Sequence, residues 1–225
     1  LTDFANEFKI PCIGGKVSLY NETPSGPIKP TPLIGVLGLI DKKPLVSQKI
    51  LSGDNLVIIG DTKDELGGSE YFEYIHKFIG GNCPTVNFKE SKKNMSSVLD
   101  SIKQQIPKSV HDCSKGGLAV AVAELCMTNQ IGCKVSLNKV PGEKLTDDRI
   151  LFSESHSRYL LTINEKNIKK LENILKKNKV TFQIIGKFGS KKIQFVHGTK
   201  SIIDLDVDKA QKTWFNSLKN MVLHG

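Results

Sequence analysis

Ser109-Val110-His111-Asp112-Cys113-Ser114-Lys115-Gly116-Gly117-Leu118 lies near the middle of this 225-residue chain, and the fold turns on its reading. Ser109-Val110-His111 reads as a brief strand, a polar loop ending in two glycines follows, and Leu118 opens an apolar helix to about Thr128. Strand, glycine loop and helix in succession form the repeating unit of a layered α/β or α+β domain.

The alternation continues outward from that stretch. Toward the N-terminus, 94–105 reads as a helix on Val98, Leu99 and Ile102, 69–78 as another, and 55–60 and 33–40 as strands. Residues 21–32 hold Pro24, Pro27, Pro30 and Pro32 with Gly26, which marks a connector and sets the domain boundary there. Ahead of it, 4–9 reads as the end of a helix and 11–13 as a short strand, with 17–20 extended. Toward the C-terminus, strands are expected at 133–137, 159–163, 182–185 and 193–196. Asn164 is placed to cap a helix through Lys179, and a closing helix over 208–222 carries Trp214, Leu218 and Met221.

Composition sets the outer limits. Apolar residues make up 39% and charged residues 24%, a globular balance. The longest apolar run, 33–40, is far short of the ~20 residues a membrane helix needs, and no secretory pattern opens the chain. It starts without Met, as if inside a helix, which suggests a piece of something longer. The net charge is +9, yet only Arg149 and Arg158 are arginines, and bidentate reading of bases relies on arginine. Residues 164–200 hold ten lysines against two glutamates, which reads as a solvated face or as attraction for a phosphate-rich partner. Five widely spaced cysteines with no C-x-x-C indicate neither a disulfide framework nor a zinc site, and reduced thiols in the cytosol are the default.

Three loops carry the candidate chemistry. Leu66-Gly67-Gly68-Ser69-Glu70-Tyr71 and the 111–118 loop both put glycines where a helix begins. Unpaired N–H groups there can meet an anion, and glycine lets a phosphate come close. The competing reading is ordinary capping by Ser69 or Ser114. The third loop, Leu151-Phe152-Ser153-Glu154-Ser155-His156-Ser157-Arg158, is dense in hydroxyls, with a carboxylate, an imidazole and a guanidinium. It suits a phosphate, a ribose or a metal at Glu154, or else Glu154 and Arg158 form a plain i,i+4 pair. Cys113 reads as a packing residue.

Taken together with Gly15-Lys16-Val17-Ser18-Leu19-Tyr20-Asn21-Glu22 and Pro30-Thr31-Pro32, these strings resemble, in order and spacing, the C-terminal part of the phosphoribosylformylglycinamidine synthase family. The resemblance covers nearly the whole chain. It implies an aminoimidazole-ribonucleotide-synthetase-like C-terminal domain over 31–225, a mixed sheet with flanking helices. Residues 1–30 would be the tail of a second N-terminal, ATP-cleft domain plus linker. The Ser18-Leu19-Tyr20-Asn21-Glu22 string argues against the sister enzyme aminoimidazole ribonucleotide synthetase. A non-catalytic nucleotide-binding or assembly module is the alternative from another class.

Members of that family are ATP-dependent C–N ligases of purine biosynthesis. ATP phosphorylates the amide oxygen of formylglycinamide ribonucleotide, ammonia attacks the carbon, and phosphate leaves as the amidine forms. The resemblance implies ATP and Mg2+ as cofactors and a cytoplasmic location. Its implied partners are the remainder of the synthetase, a glutaminase subunit supplying ammonia and a small accessory subunit, with neither nucleic acid nor membrane. It further implies that Gly15 and Lys16 contact ATP and that Ser18 contacts substrate. Lys16 stands where the family commonly has a magnesium-ligating asparagine, so the metal ligands are open. Gly67, Gly68, Ser69, His111, Asp112, Gly116, Gly117, Glu154 and Ser155 would form a pseudo-symmetry-related nucleotide pocket. The family's catalytic histidines lie upstream of these motifs, so no catalytic residue is expected here, and the chain alone should be inactive.

Overall fold

A computed structural model describes residues 1–28, 31–40 and 46–224, which form two compact units, 1–43 and 44–225. Pro30 of the expected connector and the side chain of Leu218 lie outside the described residues.

The first unit holds helix α1 (Thr2–Phe8) and a two-residue ladder of β1 (Glu22–Thr23) and β2 (Gly26–Pro27) inside the expected connector. Residues 11–13, 17–20 and 33–40 are not strands, contrary to expectation, and the apolar side chains of 33–40 are exposed. A strand exists only with a neighbour to take its N–H and C=O groups, and among the described residues of this unit none runs alongside.

The second unit is a three-layer sandwich around a mixed seven-stranded sheet. Its strands are β3 (Asn55–Ile59), β4 (Ser109–Asp112), β5 (Gly132–Ser136), β6 (Tyr159–Ile163), β7 (Phe182–Ser190), β8 (Lys192–His197) and β9 (Lys200–Asp206). They lie in the order β4-β6-β3-β7-β5-β8-β9, antiparallel except for the parallel pair β5–β8. Leu56 and Ile58 of β3 face one core, while Val57 and Ile59 face the other. That two-sided burial explains why Leu56-Val57-Ile58-Ile59 reads as an unbroken apolar run, with polar Asn55 at its start.

Helices α4 (Gly117–Asn129), α5 (Asp147–Phe152) and α7 (Val207–His224) cover the first face. Helices α3 (Phe88–Lys103) and α6 (Ile168–Lys177) cover the second. The short α2 (Glu70–Tyr74) ends earlier than the expected 78, and Lys77 turns left-handed soon after it. Helix α3 begins earlier than expected because Asn87 caps it, accepting from Glu90 N at 3.0 Å. Asn164 caps a 3-10 turn over Glu165–Asn167 that leads into α6. Strand β9 and helix α5 have no counterpart in the sequence reading. Among the described residues no helix is long and apolar enough to cross a membrane.

Cys113, Cys126 and Cys133 are buried in the first core. Burial pushes the Cys113 thiol up to about 11 and Cys126 up to about 12. An unfolded chain releases these protons near pH 8.5, so the stabilisation they provide is complete below that and is lost as pH climbs toward 11. Urea unfolding should therefore show stability falling from about pH 9 to 11, and Cys113→Ala should flatten part of that slope. An alanine variant with the parent's slope would remove Cys113 from this account.

Candidate functional site

The three sequence-separated loops meet at one carboxylate. Glu154 Oε1 accepts from Gly116 N at 2.8 Å and from Glu70 N at 3.0 Å, so it lies at the starts of both α4 and α2. A carboxylate is the favoured occupant at such partly positive ends. Lys115 Nζ reaches Glu70 Oε1 at 2.8 Å, joining the first two loops directly. Tyr71 stacks flat on Phe152, ring centroids 4.7 Å apart, joining the first and third.

The glycine pairs let chain approach chain. A Cβ on Gly67 would lie 2.0 Å from the carbonyl oxygen of Asn82, and one on Gly117 would lie 2.5 Å from that of Ser153. Gly68, Gly116 and Gly117 have positive φ of 68°, 77° and 64°. Ser69 is the N-cap of α2: its hydroxyl accepts from Phe72 N and donates to Leu66 O. At α4 the N-cap is Gly116, and Ser114 stands aside.

The third loop is pinned from below. Ser155 is buried and its hydroxyl accepts from Lys63 N at 3.1 Å, while Glu154 N donates to Glu65 O at 3.0 Å. Arg158, 1% exposed, donates through Nε to Ser155 O and through its two terminal nitrogens to Thr62 Oγ1 and Ser153 O. It grips the loop's backbone, so the i,i+4 reading of Glu154 and Arg158 gives way to a shared arch. Burial pulls the Arg158 pKa below the usual arginine value, while Cys113, Glu65 and Glu154 act in the opposite direction.

Above the arch lies a cleft of about 360 Å³ bordered by Asp112, Lys115, Glu154, His156, Ser157 and Tyr159. The Glu70 carboxylate raises the Lys115 pKa, which keeps its ammonium charged. Burial raises the Tyr159 pKa, helped by Asp112, its partner across β4 and β6. The cleft thus offers an ammonium, an imidazole and a phenol as donors beside two carboxylates.

His111 stands apart from this cleft. Its Nε2 lies 3.3 Å from Glu124 Oε2 of α4, and it lines a separate hollow with Trp214 and Phe215. Neighbouring strand residues point to opposite faces, so β4 sends His111 and Asp112 to different sides. Gly15, Lys16 and Ser18 are exposed in the first unit, and among the described residues nothing beyond its chain neighbours lies within 4 Å of a Cβ placed on Gly15. Sequence reasoning missed Lys115, His156, Ser157 and Tyr159 as cleft residues, although the first three lay inside the quoted motifs.

This mixed, helix-flanked sheet with its three-loop cluster is that of a known class: the chain belongs to the family described as AIR synthase related protein, C-terminal domain, whose model matches residues 52–198. Across 99% of its length it is 39% identical to the phosphoribosylformylglycinamidine synthase subunit PurL of Methanocaldococcus jannaschii, of which it spans 31%. Among solved structures it is similar to T. maritima PurL complexed with FGAR, at TM-score 0.67 and 17% identity, covering 73% of this chain and 29% of that one. T. maritima PurL complexed with ATP matches at TM-score 0.61 and 19% identity, covering 74% and 27%. The resemblance read from the motifs, to the C-terminal part of PurL, holds along the chain, which spans less than a third of these proteins.

Proposed function

We propose that this chain is the C-terminal share of an ATP-dependent amidine-forming synthetase that converts formylglycinamide ribonucleotide and ammonia in purine biosynthesis. The observation that carries the reading is the meeting of the family's three loops at Glu154. In this reading the cleft above the arch holds the phosphate-bearing end of a nucleotide. Lys115 and His156 supply donors, and the Glu154 arch fixes the floor. Gly15, Lys16 and Ser18 act from the first unit, with Lys16 neutralising ATP phosphate and Ser18 contacting substrate. The remainder of the synthetase, a glutaminase subunit and a small accessory subunit complete a cytoplasmic assembly; a PurLQS structure from T. maritima is among the fold matches.

Magnesium is the part of the reading that these residues do not fit. Among the described residues no three His, Cys, Asp or Glu side chains are grouped to hold a metal, and Glu154 Oε1 already accepts two N–H groups. A protonated Lys16 has no lone pair to offer either. The ligands for Mg2+ in this proposal belong to the remainder of the synthetase.

A second reading, a nucleotide held for assembly rather than turnover, draws support from the same carboxylate, which occupies both helix starts. The purified chain should give no amidine from substrate, ATP and ammonia, and adding the remaining part of a PurL-length protein with a glutaminase should restore it. Turnover by the chain alone would overturn the proposal. In the restored enzyme Lys16→Ala should weaken apparent ATP affinity at least about tenfold, the scale of one charge-assisted contact. An unchanged affinity removes Lys16 from phosphate work.

A further inference from the structure

We propose that Asn94 of α3, assisted by Ser91, is a positioning residue for the cleft, holding the Glu154–Arg158 loop through Ser157. The proposal rests on the nucleotide reading for its ligand and on independent geometry for its mechanism.

Four side chains on the buried face of α3 are polar beyond the ordinary: Ser91, Asn94, Ser97 and Ser101. Ser97 and Ser101 donate back into their own helix, to Lys93 O and Val98 O. Asn94 and Ser91 reach outward. Asn94, 2% exposed, donates through Nδ2 to Ser157 O at 3.0 Å, and the hydroxyls of Ser91 and Ser157 are hydrogen-bonded. A buried amide aimed at one carbonyl specifies where that carbonyl lies, since a buried carbonyl left unpaired loses its solvation without a replacement.

The carbonyl belongs to an unusual residue. Ser157 has φ +61°, a conformation that non-glycine residues seldom adopt. Among the described residues Lys9, Gln105, Gln130 and Lys179 share that sign but lie at or just beyond a helix C-terminus, where a left-handed residue is the ordinary terminator, and Lys77 follows α2 by three residues, which leaves Gln48 and Ser157. Ser157 terminates no helix. On its other side the carbonyl presses against Gly60, where a Cβ would lie 2.7 Å away. A donor on one flank and a missing side chain on the other hold the strained turn. Strain of this kind persists where the surroundings over-determine it and clusters at ligand sites. Ser157 borders the cleft and adjoins His156, so relaxing its φ swings the imidazole and loosens the arch that ends in Glu154.

The test uses the 225-residue chain, with ADP as the probe in titration calorimetry and amide exchange as the second readout. Asn94→Asp keeps the size and replaces the amide donor with a carboxyl, which in its ionised form can only accept. It should weaken ADP binding about tenfold, and adding Ser157→Gly, which adopts positive φ without strain, should recover most of that loss. Exchange confined to amides 156–158 separates positioning from bulk stability, since a general loss of stability would speed exchange along β6 and α3 as well. Parent-like ADP affinity in Asn94→Asp, or no recovery on adding Ser157→Gly, overturns the proposal. If the parent chain itself does not bind ADP, the nucleotide reading fails, and exchange decides the clamp: amides 156–158 must exchange at least about tenfold faster in Asn94→Asp, and unchanged rates overturn it. Should Asn94→Asp not fold, Ser91→Ala takes its place, with a loss of about threefold expected and none overturning the proposal.

Discussion

Replacing Arg158 with alanine should cost the 44–225 unit about 3–5 kcal/mol, more than any other single change in the loop cluster. The guanidinium is almost wholly enclosed, and its removal leaves Ser153 O and Ser155 O without a donor and a void beneath the arch. The Glu65 carboxylate, one oxygen of which is buried without a hydrogen-bond partner, also loses the nearby positive charge. Thermal melting should register a fall on the order of 10 °C for a unit of this size. Lysine should rescue little, because one ammonium cannot span three acceptors that a planar fork reaches. A loss under about 1 kcal/mol would mean that the arch stands without it.

Gly117→Ala should be nearly as severe, at about 2–5 kcal/mol. The new methyl group meets backbone on two sides, Ser153 O at 2.5 Å and Leu151 O at 2.9 Å, at a φ of +64° that alanine resists. Relief requires the Leu151–Ser153 backbone to move, and Arg158 holds that backbone. Gly116→Ala should cost less, although its φ is also positive, because its methyl meets the side chain of Val120 at 2.3 Å and a side chain can yield. Chemical denaturation of the two variants gives the ranking, and the reverse order would refute the convergence of the loops at Gly117.

Much of this architecture was legible where burial is two-sided or uniformly apolar. Strand β3 and helix α4 declare themselves because nearly every residue is apolar, and β6 was placed to the residue. The misses have physical causes. Helix α5 has six residues, too few for a helical period to emerge. Strand β9 is an edge strand whose residues remain largely exposed, so its composition is mixed. The inward face of α3 is written in hydroxyls and an amide, so apolar periodicity pointed at Leu99, which is half exposed. For 33–40, composition reports that a segment favours a strand but not whether a neighbour is there to pair with it.

The candidate site was legible as three loops but not as one place. Glycine pairs before helices look the same in sequence whether a phosphate or another stretch of backbone will approach them. Gly67 against Asn82 and Gly117 against Ser153 show the second case. Nothing local to Glu154 announces that its partners lie 84 and 38 positions away. His111 and Asp112, adjacent in sequence, were parted by the pleat of β4.

The strand order has a consequence for how this chain comes to exist. Strand β3 is central, yet both its neighbours arrive late: Ile59 pairs with Tyr159, one hundred positions on, and with Phe182. A ribosome delivering ~5–20 residues each second completes β3 many seconds before either partner has emerged. Through that interval a strand apolar at four of its five residues waits with both faces and both edges bare. Long-range pairing of this kind also makes for slow closure once synthesis ends. Synthesis without chaperones should therefore divert more of the nascent chain into aggregates before the sheet can assemble.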